Sequence, residues 1–287
     1  MLNRADIVYE YDGSFEGLLC CVFESYLCKE VPADILSPDA AQTTLLPSRL
    51  IATDEQKASR VLVSIPRAMG AETLDFVRRA YLTCLEQKEL YILLFLQTGY
   101  RVGPKVLDML ADDTVHTLVQ AVRHLDRETH LLKGFIRFSI INGALLAEID
   151  PKNIVLPLLV QHFCERYPEE RFLIYDKTHG MALIYEPYHP AILPLEALEL
   201  PEPDEEELAF RRLWQLFYDT VEVEGRHNPK CRMSHMPKRY WGNMTEFNRP
   251  RPQSHEGEAD KKGGEDPLRI FPAQSAPKGI LPPGQPQ

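Results

Sequence analysis

The dipeptide Asn142-Gly143 stands between two apolar runs, Phe135 to Ile141 and Ala144 to Ile149. Asn and Gly tolerate the positive φ of a two-residue turn, so the pair predicts a β-hairpin. A second pair of runs, Phe172 to Tyr175 and Ala182 to Tyr185, flanks Asp176-Lys177-Thr178-His179-Gly180 and predicts another. Between the hairpins, Leu158, Leu159 and Phe163 carry a helix to Tyr167. Asp150-Pro151 is its expected cap and first residue, and Pro157 is tolerable only in its first turn. Such a β-β-α-β-β run builds an antiparallel or mixed sheet with helices packed on it, an α+β fold.

The preceding half reads as helices. A short strand, Ile7 to Tyr11, ends at Asp12-Gly13. Ser14 then caps a helix whose stripe is Phe15, Leu18, Leu19, Val22, Phe23 and Tyr26. Val31 to Pro47, with three prolines, reads as a loop. Thr53-x-x-Gln56 has capping-box spacing before Ala58, Val61, Leu62 and Ile65, although the alternation of Val61, Val63 and Ile65 leaves a strand open. From Glu72 to Arg127 the period is helical. Leu90 to Leu96 is apolar all round, as in a helix buried among others. Asp112 or Asp113 caps the next, which carries Val115, Leu118, Val119, Val122 and Leu125.

Leu195 to Leu208 is an acidic, proline-punctuated linker with seven carboxylates and no base. Asp204 and Glu207 then open a helix with Phe210, Leu213, Trp214, Phe217 and Val221 on one face. From Arg226 to Arg251 the charge reverses: seven Lys or Arg stand against the single Glu246. From Asn248 onward, 8 prolines and 5 glycines in 40 residues leave no apolar period, so a disordered tail is expected. The predicted organisation is one α+β domain over residues 1–247 and a tail over 248–287. Within the domain, the helical part covers about 14–130, the sheet part about 135–186, and the C-terminal helix with the basic segment about 204–247.

Composition excludes several classes. With 44% apolar and 26% charged residues the chain can bury a sizeable core. No apolar run approaches the roughly 18 residues of a membrane span, and the first residues turn acidic before any signal-peptide core. A cytoplasmic protein with no membrane partner is expected. Six cysteines, at 20, 21, 28, 84, 164 and 231, contain no C-x-x-C pair, so neither metal nor cofactor is expected and the thiols read as small core hydrophobes. Phosphate loops, the G-x-S-x-G elbow and the H-E-x-x-H helix are all missing.

Two segments carry candidate chemistry. In the 176–180 turn, Asp176 can orient His179 as a general base, making a candidate catalytic pair. Asp, Thr and Gly are equally what a hairpin turn requires. His130 at a helix end and His162 read as structural. The second segment runs from Arg226 to Trp241. Arg226, Lys230, Arg232, Lys238 and Arg239 are interleaved with Tyr240 and Trp241, the combination that meets phosphates and an unstacked base. Arg137, on the first hairpin, extends this candidate nucleic-acid surface. The alternative is a solvated basic segment that neutralises the acidic linker, with Trp241 tucked into the core. A net charge of −10 argues against indiscriminate DNA coating but allows a confined basic patch.

The stretches Tyr11-Asp12-Gly13-Ser14-Phe15-Glu16-Gly17-Leu18, Gly134-Phe135-Ile136-Arg137-Phe138 and Met236-Pro237-Lys238-Arg239-Tyr240-Trp241 resemble an uncharacterised bacterial family. It is linked to DNA repair or DNA metabolism, and its genes sit beside a radical SAM protein. In relatives a similar domain is fused to a uracil-DNA-glycosylase-like domain. The resemblance runs from about Ala5 to Phe247. It implies a DNA context, with single-stranded or damaged DNA and a radical SAM protein as partners. The C-x-x-x-C-x-x-C cluster of a radical SAM enzyme and the glycosylase domain are both missing, so the chain would be the companion. The expected function is a DNA-associated accessory protein. The alternatives are a nucleic-acid-processing hydrolase using Asp176 and His179, or a protein–protein adaptor using the helix of Trp214 and Phe217.

Overall fold

A computed structural model describes residues 3–38, 45–198, 203, 205–221 and 228–248. The chain divides into two units, Met1–Arg249 and Pro250–Gln287, and every described residue belongs to the first. The tail expected from 248 onward lies outside the described residues beyond Asn248, as do Asp204 and Arg226.

The order is β1 (Asn3–Arg4), β2 (Val8–Glu10), α1 (Phe15–Cys28), β3 (Glu30–Val31), β4 (Asp34–Leu36), β5 (Ser48–Leu50), α2 (Glu55–Met69), α3 (Ala71–Tyr81) and α4 (Lys88–Val102). A 3-10 turn, Gly103–Asp108, leads to the long α5 (Asp113–Phe135). Then come β6 (Ser139–Ile141), β7 (Ala144–Ile149), α6 (Leu156–Arg166), β8 (Phe172–Asp176), β9 (Met181–Glu186) and β10 (His189–Pro194). The unit closes with α7 (Glu205–Val221), α8 (Pro229–His235) and a 3-10 helix, Lys238–Asn243. This is the α+β arrangement expected, helices first and a sheet after.

The helical half gathers one core from Leu18, Leu19, Ile65, Val77, Ile92, Phe95, Leu118 and their neighbours. Ser14 caps α1 by accepting from the Gly17 amide, and Asp112 caps α5. At α2 the cap is Asp54, whose carboxylate accepts from the Gln56 and Lys57 amides. Thr53 instead gives its hydroxyl to Asp12, 2.7 Å away. The helical reading of 55–65 holds over the strand, since Val63 points to solvent while Val61 and Ile65 are buried. The stretch read as a loop, 31–47, contains β4, which pairs in parallel with β2; it buries only Ile35 and stands between Pro32 and Pro38, so its sequence shows no strand alternation.

The sheet runs β10-β9-β8-β7-β6. All neighbours are antiparallel except β7 and β8, which α6 joins as a parallel crossover, so the sheet is mixed. Asn142 and Gly143 take φ values of +51° and +76°, the two left-handed positions of the tight turn. Phe135 ends α5 rather than opening the hairpin. Asp150-Pro151 does not cap α6, which starts at Leu156 with Pro157 in its first turn. The unexpected β10 is an edge strand, the one place where Pro190 and Pro194 cost no ladder bond. Leu125 and Leu132 of α5, Leu159 and Phe163 of α6, and Tyr240 and Met244 close a second core over the sheet.

The expectation of core thiols holds for burial only at Cys20 and Cys21, and the Cys20 sulfur also contacts the Asp54 amide and carbonyl at 3.3 Å; Cys28, Cys84 and Cys231 are exposed and Cys164 is half-buried. No described helix is long and apolar enough to cross a membrane.

Candidate nucleic-acid interface

The basic segment opens with α8, whose cap, Asn228, accepts from the Cys231 amide at 3.0 Å. After the turn at Pro237, the 3-10 helix 238–243 brings Trp241 back beneath Arg232. Trp241 donates its indole N–H to the Met236 carbonyl, 3.0 Å away, and stacks on Phe247 with ring centres 4.3 Å apart. The Arg232 guanidinium lies 5.6 Å from the Trp241 ring centre and 5.7 Å from that of Phe247. The Lys238 ammonium lies 5.9 Å from Trp241. The quadrupoles of two stacked rings thus hold two cations at one surface. Lys230 is exposed on the first turn of α8. Trp241 is half-buried, supported on Phe247.

Arg239, Tyr240 and Arg137 are placed differently. Arg239 donates to the Glu128 carboxylate at 2.6 Å and also to the Tyr240 hydroxyl. Tyr240 is buried and donates to Glu128 at 3.4 Å. Burial raises its phenol pKa above the ordinary value. Glu128 also accepts from the backbone amides of Lys152 and Asn153 and from the Asn153 side chain. Burial alone would raise the Glu128 carboxyl, but the Lys152 and Asn153 amides, the Asn153 side chain and Arg239 together hold it below its ordinary range.

Arg137 turns inward too. It grips the buried Glu246 with two nitrogens, at 2.7 and 3.2 Å, and gives a third to the Gly134 and Ile136 carbonyls. Trp214 donates to the same carboxylate at 3.1 Å, with the guanidinium 5.5 Å from its ring centre. The Glu246 carboxyl is held low, since Arg137 and Trp214 outweigh the effect of burial. Glu128 and Glu246 are the residues that sequence reasoning missed. The available signals were an acid on the apolar stripe between Leu125 and Leu132, and the one acid in a basic run.

In the 176–180 turn both expected arrangements coexist. The fully buried Asp176 accepts from the Thr178 and His179 amides at 3.0 and 3.1 Å, an Asx turn. Its second oxygen lies 2.7 Å from His179 Nδ1. Gly180 takes a φ of +60°, as such a turn demands. The turn meets the C-terminal segment through Lys177, whose ammonium lies 3.3 Å from Asn243, 3.2 Å from Asp150 and 3.4 Å from Glu148.

Two clefts flank this region. One, of about 390 Å³, is lined by Arg137, Glu148, Arg211 and Asn243. A larger one, of about 650 Å³, lies against α5 and is lined by Arg127, Glu128, Lys152 and Arg239. His179 lines neither. Among the described residues, no group of three His, Cys, Asp or Glu is placed to hold a metal ion.

No curated protein and no solved structure matches the chain. One family model does, over residues 86–246, from the turn before α4 to the carboxylate that Arg137 grips, and on that span the chain belongs to the DUF4130 family, a domain of unknown function.

Proposed function

We propose that this chain is an accessory protein of DNA repair or DNA metabolism that contacts DNA and works beside a radical SAM partner. The observation that carries the DNA contact is the cationic face on the Trp241–Phe247 stack. Arg232 and Lys238 lie over it, with Lys230 exposed on the adjoining helix. Lys230, Arg232 and Lys238 hold phosphates in this reading, and the half-buried Trp241 meets a base. Arg137, Arg239 and Tyr240 shape the surface from behind, since their polar groups are engaged by Glu246 and Glu128. The partner half of the reading rests on the resemblance in the 11–18, 134–138 and 236–241 stretches.

The test is a mobility-shift series with single-stranded and lesion-bearing oligonucleotides across a salt gradient. Three phosphate contacts give a log–log slope of about −2 to −3. Trp241→Ala is expected to weaken binding without flattening that slope, because a stacked ring releases no counterion. Absence of binding at low salt, alone or with the partner, ends the reading.

The adaptor reading has one observation in its favour. Helix α7 turns Glu207, Arg211 and Gln215 toward the body, where they bond Ile140, Ser139 and Thr245. Its apolar residues Phe210, Leu213 and Phe217 face outward, at 54%, 61% and 55% exposure. Pull-down by the intact chain, lost in Leu213→Asp with DNA binding kept, separates the two roles.

A further inference from the structure

The larger cleft has the size range of small-ligand sites, about 300–1,000 Å³. One wall is a single face of α5. His124, Arg127, Glu128 and Leu131 follow the i, i+3, i+4, i+7 spacing that stacks side chains on one stripe. The opposite wall is the 83–86 turn, with Cys84, Leu85 and Glu86. Asn153, buried at the base, ties the walls together. Its side-chain oxygen accepts from the Cys84 amide at 2.9 Å, and its side-chain nitrogen donates to Glu128 at 2.5 Å. The Ile154 amide adds a bond to the Leu82 carbonyl at 2.9 Å. The walls of the cleft are therefore preformed, and only the side chains that meet a ligand are left to order.

Its charge is distributed unusually for a chain of net charge −10. The carboxylate of Glu128 is already occupied by Arg239 and by the Lys152 and Asn153 amides. The Lys152 amide bond also fixes that residue's backbone against α5, on the cleft that Arg127 lines. The side chains of Arg127 and Lys152 are exposed, and neither has a hydrogen bond or ion pair among the described residues. Two uncommitted cations thus flank a satisfied carboxylate, with Glu86 as the remaining acid at the mouth. Leu85, Leu131 and Pro237 supply apolar surface beside them. We propose that this cleft binds a mononucleotide-sized phosphate ester, its phosphate held by Arg127 and Lys152 and its flat base laid on Leu85, Leu131 and Pro237. A free nucleotide and the phosphorylated end of a strand share that chemistry. The site uses neither Lys230 nor Lys238, so it stands or falls apart from the cationic face on Trp241.

The test is calorimetric titration of the full chain with deoxyadenosine monophosphate and with deoxyadenosine. The monophosphate is expected to saturate one site, and deoxyadenosine to bind at least tenfold more weakly. Arg127→Ala and Lys152→Ala, both at exposed positions, each weaken the monophosphate by about ten- to a hundredfold, the loss of a charge-assisted contact. Lys238→Ala leaves it unchanged. Independently, bound monophosphate slows alkylation of the exposed Cys84 while Cys28 and Cys231 react as before. Competition by a 5′-phosphorylated oligonucleotide, and not by its 5′-hydroxyl form, assigns the site to strand ends; no competition by either assigns it to free nucleotide. The proposal is overturned if deoxyadenosine binds as well as its phosphate, or if both variants bind like the parent chain. Unchanged Cys84 reactivity in a saturated sample also overturns it.

Discussion

Glu128 and Arg239 lie 111 residues apart in sequence and 2.6 Å apart in space. The carboxylate is buried on α5, and through it the C-terminal basic segment is fastened to the helix that joins the two cores. Arg239 therefore reads as positive in sequence and as neutralised in the fold.

Removing the acid should be far costlier than removing the base. Glu128→Ala strands the Lys152 and Asn153 amides, the Asn153 side chain and Arg239 without their acceptor. Breaking a buried charged network from that side costs about 3–5 kcal/mol. Arg239→Ala leaves Glu128 with three donor contacts from residues 152 and 153, and its side chain is 38% exposed, so the loss should be clearly smaller. Urea unfolding of both variants, compared at equal m-value, checks the order.

Acid should loosen the same connections. The Glu128 and Glu246 carboxyls titrate below their ordinary 4.5 in the folded chain. The unfolded chain therefore binds the more protons as pH falls past that value. Stability from both carboxylates is complete above about pH 4.5 and is lost progressively below it, as pH descends through the folded values. Melting temperature followed from pH 6 down to about pH 3 should bend downward in that window. Glu246→Gln should reduce the bend.

These two carboxylates mark where sequence legibility stopped. Local chemistry was readable: Asn142-Gly143 made its turn, Ser14 and Asp112 capped their helices, and α4 was buried as its all-round apolar run demanded. Elements punctuated by proline were not. Strand β4 stands between Pro32 and Pro38 with only Ile35 buried, and β10 carries two prolines that are tolerated at an edge. Which arginines face inward was illegible for a different reason. Arg137 and Glu246 are 109 residues apart, so nothing within a helical or strand period of either one announces the other. A basic residue that neutralises a distant acid looks the same in sequence as one that waits for a phosphate.

The 176–180 turn separates a folding role from a chemical one. Asp176 caps the turn through two backbone amides in addition to its contact with His179. Asp176→Ala removes the carboxylate that both amides bond, at the exposed Thr178 and the half-buried His179, and should cost about 1–3 kcal/mol. His179→Ala keeps the amide contacts and should cost less than about 1 kcal/mol. If hydrolysis of an oligonucleotide is detected, its loss in a well-folded His179→Ala chain would identify the imidazole as the base. If no activity depends on His179, the turn reading stands alone.

The sharpest contrast is between Arg137 and Lys238, both placed on one candidate surface by their sequence context. Arg137 holds a carboxylate that is 1% exposed, and Trp214 of α7 shares that carboxylate. Arg137→Ala should take the guanidinium away from the buried Glu246 and destabilise the chain by about 3 kcal/mol or more. Its indole partner gives an optical report, since Trp214 should change emission as α7 loosens from Glu246. Lys238 is exposed over the Trp241 ring, so Lys238→Ala should move stability by no more than about 0.5 kcal/mol. Binding is expected to sort the other way. Lys238→Ala should lower oligonucleotide affinity and flatten the log–log salt slope by about one unit, the signature of one lost phosphate contact. Arg137→Ala, measured well below its own melting temperature, should keep the parent slope, because its guanidinium is already engaged by a carboxylate and two carbonyls. A parent-like slope in Lys238→Ala together with a flattened one in Arg137→Ala would reverse the assignment, putting Arg137 on the phosphate and Lys238 off it.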